Sequence, residues 1–173
     1  TGLKGDISPS IGCAWPTGYG LSLTLKKIKK SKTIGIMGLG GIGMAALLGV
    51  LDQNKNATII TYDLNELRLN QAKKLGADLS INPSKEEVLN KTDEYTSGKL
   101  LDLLIECSGS IVSLNKSLSL INDKGLVKFL SHPNNGDLLL VDPFELIKGK
   151  RIEGSWGGGV NPDIHFIEIL ESI

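Results

Sequence analysis

The sequence predicts an α/β protein: a doubly wound, six-stranded parallel sheet with helices on both faces. Three observations predict it. Runs of strand length recur six times between Thr33 and Trp156, and helical patterns separate them. Such alternation implies βαβ crossovers and a parallel sheet. Several of the runs are apolar almost throughout, as strands buried on both faces are. Right-handed crossovers then leave the doubly wound order as the simplest topology.

Each element has its own warrant. The first twenty residues, rich in Gly and Pro, form an irregular lead-in. Gly18 to about Ile28 has helical apolar spacing and ends in Lys26, Lys27, Lys29 and Lys30. Cations suit a helix C-terminus, and the plainer reading of the run is a solvated face. Thr33–Gly38 is a buried strand meeting a glycine turn, and Ile42–Leu51, apolar nearly all round, is a buried helix. Thr58–Tyr62 is β-branched and aromatic, a strand. Asn65–Leu75 sets Leu67, Leu69, Ala72 and Leu75 beside charged residues, an amphipathic helix that Gly76 stops. Leu79–Ile81 is a short strand. Ser84 then caps a helix to about Tyr95, with Glu86 and Glu87 in its first turn. Leu101–Cys107 is a strand, Ile111–Ile121 a helix and Gly125–Ser131 a strand. Asn134 to Asp137 is a turn. Asp142–Lys148 is a short helix, Arg151–Trp156 the sixth strand and Pro162–Ser172 the last helix.

Composition bounds the function. A chain of 173 residues suits one domain with a substantial core. Nineteen Lys and Arg balance nineteen Asp and Glu. That argues against a nucleic-acid partner, which needs a basic footprint. Two cysteines, Cys13 and Cys107, are too few for a disulfide framework and point to a reducing cytosol. No apolar run approaches the ~20 residues of a membrane span, and no signal peptide is visible. Two His and two Cys, far apart, argue against a catalytic zinc site built wholly within this chain.

The chemistry concentrates at Gly38-Leu39-Gly40-Gly41-Ile42-Gly43, a G-x-G-x-x-G between a strand and a helix. Alone the pattern is weak; inside a βαβ unit it reads as the dinucleotide turn of a Rossmann fold. Gly38 permits the tight turn, Gly40 lets backbone approach a pyrophosphate, and Gly43 lets the helix pack on the strand. The anion would sit at the helix N-terminus, where free N–H groups favour negative charge. Asp63 ends the second strand, twenty residues beyond Gly43. A carboxylate there accepts hydrogen bonds from an adenosine ribose and repels a 2′-phosphate, which favours NAD over NADP. The plainer reading of Asp63 is a residue that opens the next helix. An S-adenosylmethionine methyltransferase also has a glycine-rich first turn and a later acidic residue. Gly43 and the absence of a terminal antiparallel hairpin argue against it.

From Ser10 to Gly20 (SIGCAWPTGYG) the chain resembles the zinc-dependent alcohol dehydrogenases of the medium-chain dehydrogenase/reductase superfamily. The order continues through the glycine turn, Tyr62-Asp63, Leu75 to Asp78, Ile81-Asn82-Pro83, Glu106 to Gly109, Lys148 to Arg151 and Gly154 to Gly158. It covers essentially the whole chain. The resemblance implies that Cys13 is one of three protein ligands of a catalytic zinc, with an alcohol at the open fourth position. It implies Thr17 as a catalytic and coenzyme-binding residue beside the nicotinamide. Gly38, Gly40, Gly41, Ile42 and Gly43 correspond to the pyrophosphate turn, Asp63 to the ribose carboxylate, and Arg68 to a basic residue near that ribose. Cys13 by itself also reads as a small buried hydrophobe. Cys107, His132 and His165 match no ligand. Trp15 is expected to pack toward the substrate cleft. Leu130 stands where the family often has glycine beside the nicotinamide.

The family's chain is roughly twice this length, so residues 1–32 are expected to be a lead-in from an absent catalytic domain plus the first helix, and residues 33–173 the NAD-binding domain. The resemblance implies a cytoplasmic enzyme moving hydride between an alcohol and NAD to give an aldehyde or ketone, with zinc in the whole enzyme. Three rival readings stand beside it. Polyol and threonine dehydrogenases commonly place a carboxylate where Cys13 stands. A quinone reductase would lack zinc, and an NAD-binding regulatory module would lack catalysis. In the family the strand resembling Arg151 to Trp156 pairs with its copy across a two-fold axis, which implies a homodimer.

Overall fold

The computed structural model describes residues 12–171. Its centre is a six-stranded, all-parallel sheet of β1 (Thr33–Met37), β2 (Thr58–Tyr62), β3 (Leu79–Ile81), β4 (Leu101–Glu106), β5 (Ile121–Phe129) and β6 (Arg151–Gly154), in the order β3-β2-β1-β4-β5-β6. This is the doubly wound sheet that the alternating pattern predicts. The helices are α1 (Ala14–Thr24), α2 (Gly41–Gln53), α3 (Glu66–Leu75), α4 (Val88–Tyr95), α5 (Ile111–Lys116), α6 (Pro143–Ile147) and α7 (Pro162–Glu171).

The sheet separates two apolar layers. Ile34 and Ile36 of β1, Ile59 of β2 and Leu103 and Ile105 of β4 pack with Leu21, Leu47, Val50 and Leu69 from α1, α2 and α3. Ile60, Tyr62, Leu104 and Val127 pack on the other side with Leu114, Leu118 and Leu120. Successive strand side chains point to opposite faces, so the continuous apolar runs serve both layers. Each fully buried Ile or Leu contributes about 1.5–3 kcal/mol.

Carboxylates fix the N-terminal ends of the strands. Asp102 Oδ2 accepts the N–H groups of Lys32 (2.6 Å) and Thr33 (3.1 Å), and Oδ1 accepts Asn122 Nδ2 (2.8 Å). One side chain thus ties β1, β4 and β5. Partial burial acts to raise its pKa, but the hydrogen bonds prevail and hold it below the usual carboxylate value. Asp78 fixes the start of β2, accepting the Ile59 N–H at 2.7 Å.

Several boundaries differ from the sequence reading. The first helix runs Ala14–Thr24, not Gly18 to Ile28. Leu25 turns extended, so Lys26 and Lys27 lie beyond α1, and Lys29 and Lys30 belong to a 3-10 turn, Ile28–Lys30. The lysines are therefore not partners of an α-helix dipole. In α3 only Leu69 and Ala72 are buried, while Leu67 is 74% exposed, because the helix lies on the core along a narrow stripe. Asn65 caps α3 by accepting the Leu67 N–H at 2.9 Å, and Gly76 closes it at φ +123°. α4 begins at Val88 rather than at Ser84. Asn82, not Ser84, organises the preceding turn: its carbonyl accepts the Lys85 and Glu86 N–H groups. The expected helix Ile111–Ile121 divides into α5 and a 3-10 turn, Ser117–Leu120, and Ile121 already belongs to β5. β5 carries a register shift against β4 between Leu101 and Leu103, with Lys124 at φ +68°. β6 stops at Gly154 because the chain turns into Gly157–Gly159, all at positive φ.

Candidate functional site

The C-terminal ends of β1, β2 and β4 open into a cleft of about 1110 Å³, and Gly38, Gly40, Asp63, Arg68 and Ser108 are among its lining. It lies where the strand order reverses between β1 and β4, the place where open parallel sheets bind ligands.

The glycine turn is built from backbone alone. Gly38 sits at φ +86°, and a Cβ there would lie 2.6 Å from Ser108 N. Its N–H donates to Tyr62 O at 2.8 Å. Gly40 precedes α2 with extended backbone, and nothing lies within 4 Å of where its Cβ would be. A Cβ on Gly43 would stand 1.8 Å from Gly38 O. The first turn of α2 itself holds no acidic residue, which leaves its free N–H groups open to an anion.

Asp63 is joined to this turn. Its Oδ2 accepts the Leu39 N–H at 2.6 Å, and its Oδ1 accepts the Asn65 N–H at 2.8 Å. The side chain is 8% exposed, and Arg68 Nη1 lies 3.8 Å from Oδ2. Tyr62 beneath the cleft is buried, which pushes its phenol pKa up, and its hydroxyl pairs with Thr92 Oγ1 at 2.8 Å. Half-buried Cys107 lines the cleft; burial first, and then the charge of Glu106, push its thiol up, so it is no reactive thiolate.

The structure brings Gly38, Gly40, Asp63 and Arg68 together around one cleft. Gly41, Ile42 and Gly43 form the helix start behind it, with Gly41 against Ala14. Thr17 and Cys13 lie apart, on α1 and at its N-terminal end. Thr17 is buried, its N–H donates to Cys13 O at 3.1 Å, and its carbonyl lies under Gly158. Cys13 is exposed rather than a buried hydrophobe. Among the described residues no group of three or more His, Cys, Asp or Glu could hold a metal. A zinc site takes three or four protein ligands, so the described residues do not make one. Trp15 stacks on Tyr19 at 6.2 Å. Leu130 packs on the core beside the sheet.

Sequence reading missed two residues here. Asn82 is buried; its Nδ2 donates to Leu64 O (3.2 Å) and Glu66 Oε1 (2.6 Å) and its Oδ1 accepts from Ser84, which couples the loop after β3 to the loop bearing Asp63. Glu106 is a carboxylate at the end of an apolar strand. That contrast was the available signal.

A switch-point cleft, a glycine turn at a helix N-terminus and a carboxylate closing the second strand define an NAD(P)-type dinucleotide-binding domain. The family profile described as zinc-binding dehydrogenase matches residues 41–172, and the chain belongs to that family. It is 29% identical to Alcohol dehydrogenase 2 of Oryza sativa subsp. japonica over 164 residues, which is 93% of this chain and 43% of that enzyme. Benzyl alcohol dehydrogenase from Acinetobacter calcoaceticus superposes with a TM-score of 0.89 at 25% identity, covering 99% of this chain and 47% of that one. A zinc-binding dehydrogenase from Sinorhizobium meliloti 1021 bound to NADP shares the fold, with a TM-score of 0.80 at 23% identity over 92% of this chain and 46% of that one. The chain thus spans less than half the length of these relatives.

Proposed function

We propose that this chain is the coenzyme-binding part of an NAD-dependent alcohol dehydrogenase that moves hydride between an alcohol and NAD, giving an aldehyde or ketone. Residues 33–173 are the coenzyme domain and residues 1–32 lead into it. Gly38, Gly40, Gly41, Ile42 and Gly43 hold the pyrophosphate, Asp63 the adenosine ribose, and Arg68 flanks that ribose. Thr17 lies beside the nicotinamide. Cys13 supplies at most one ligand to a zinc completed elsewhere. The names of the relatives support the alcohol reaction, and a cytosolic setting suits the two free cysteines. Among the described residues no helix is long and apolar enough to cross a membrane.

The observation that carries the coenzyme choice is Asp63. Two backbone N–H groups fix its carboxylate at the cleft, where it would accept ribose hydroxyls and repel a 2′-phosphate. Arg68, 3.8 Å away, favours the second reading, NADP, because a guanidinium pairs with phosphate. Calorimetry separates them. The chain should bind NADH at least about tenfold more tightly than NADPH, and Asp63→Ala should erase the difference. Equal affinities, or a preference for NADPH, would remove the role given to Asp63.

A homodimer through β6 belongs to the same reading. Among the described residues β6 is a sheet edge, paired only with β5. Ser155 N–H donates to Phe129 O, so by strand alternation the amides of Ile152 and Gly154 point away from β5, toward the free edge. A second copy would satisfy them across a two-fold axis. Light scattering should give a dimer, and Ile152→Pro, which deletes one outward amide, should shift it to monomer. A native chain that stays monomeric at high concentration sinks the dimer.

A further inference from the structure

Glu106 ends β4 with a side chain that is only 1% exposed. A buried carboxylate is costly unless donors surround it. Here Oε1 accepts the Ser108 N–H (3.0 Å) and the Ser108 hydroxyl, and the Ser113 hydroxyl lies 3.2 Å from it. Oε2 accepts the Ser131 hydroxyl at 3.2 Å. The Ser108 oxygen in turn accepts the Ser110 N–H (3.1 Å), and the Ser131 oxygen accepts the Gly109 N–H (2.8 Å). Three consecutive amides, those of Ser108, Gly109 and Ser110, are therefore fixed to one carboxylate, directly or through one hydroxyl. The same group holds the loop after β5 through Ser131.

We propose that Glu106 is a positioning residue for the half of the coenzyme that carries the nicotinamide. This rests on the coenzyme reading above. The adenosine side is assigned to Asp63, at the end of β2. The second nucleotide then extends across the switch point, over the ends of β4 and β5. The loops that Glu106 fixes are those two. Ser108 and Ser110 line the cleft, and Ser108 lies directly against Gly38 of the glycine turn. Gln could keep its carbonyl toward the Ser108 N–H and turn its NH2 to the Ser131 hydroxyl, which can accept. Leu keeps much of the volume but offers no acceptor at either position. Both arms of the network would be lost and the loop released.

The test compares two ligands on the 173-residue chain. On this reading NADH would extend from Asp63 over the ends of β4 and β5, whereas AMP would reach only the Asp63 side. Glu106→Leu should raise the Kd for NADH about tenfold and leave that for AMP within about twofold of wild type. Ser131→Ala removes only the Oε2 arm and should weaken NADH about threefold, again sparing AMP. It decides the matter if Glu106→Leu does not fold. Parallel losses of NADH and AMP would show a fold-wide role and overturn the proposal, as would unchanged NADH binding in both variants. A wild-type chain that binds neither ligand removes the coenzyme reading itself, and this role with it.

Discussion

Gly43→Ala should destabilise the chain by about 3 kcal/mol or more and abolish NADH binding. The added Cβ would stand 1.8 Å from Gly38 O, backbone against backbone, so no flexible side chain can yield. Alanine gains about 1 kcal/mol over glycine in a helix interior. Overpacking costs typically 1–3 kcal/mol and more where nothing relaxes, so the clash wins. The only relief is to lift the start of α2 away from β1, which opens the turn that would hold the pyrophosphate. Gly40→Ala is the matched control. Nothing lies within 4 Å of its new methyl, and its backbone is ordinary extended chain. It should cost at most about 1 kcal/mol, for Ala at a helix N-cap, and lose coenzyme affinity because the methyl occupies the path of the ligand. Urea unfolding with NADH titration of both variants checks this. A Gly43→Ala chain with an unchanged urea midpoint would contradict the packing assigned to the turn.

Gly18→Ala should cost a comparable amount, about 3 kcal/mol, at the crossing of α1 and α2. A Cβ there would lie 2.1 Å from Ile42 O and 2.8 Å from Ala46 N. The two helices would have to separate, withdrawing Leu21, Ala45 and Ala46 from contact. The loss should appear as a lower melting temperature. Because α1 carries Thr17, a shifted α1 should also weaken NADH more than AMP if Thr17 lies beside the nicotinamide. A Gly18→Ala chain as stable as wild type would mean that α1 docks more loosely than the structure has it.

Much of the fold is legible in the residues alone, and particular elements show why. Thr58–Tyr62 and Leu79–Ile81 fall where the β-branched and apolar runs place them. A strand is a local run with a strong composition, bounded by residues that break it. Right-handed crossovers leave the doubly wound class as the simplest topology, while the order β3-β2-β1-β4-β5-β6 is seen only in the structure. Helix ends were less legible. Asn82 rather than Ser84 organises the turn before α4, because its side chain is held by Leu64 and Glu66, distant in sequence. The split of Ile111–Ile121 arises where the chain must swing from α5 into β5. No periodicity announces that swing, since Ser117 to Leu120 keeps the same apolar spacing.

The sequence by itself determined the strand count, the parallel doubly wound class, the glycine turn and the carboxylate at the end of the second strand. These are properties of short segments: a period, a missing Cβ, a spacing along one βαβ unit. Only the tertiary structure decided that Asp63 is bonded to the Leu39 amide, that Glu106 gathers the loops after β4 and β5, and that Thr17 on α1 and Cys13 at its N-terminal end stand outside the cleft lining. The physical reason is the same in each case. A buried polar group must find its partners in three dimensions, and those partners come from segments that the chain brings together only when it folds.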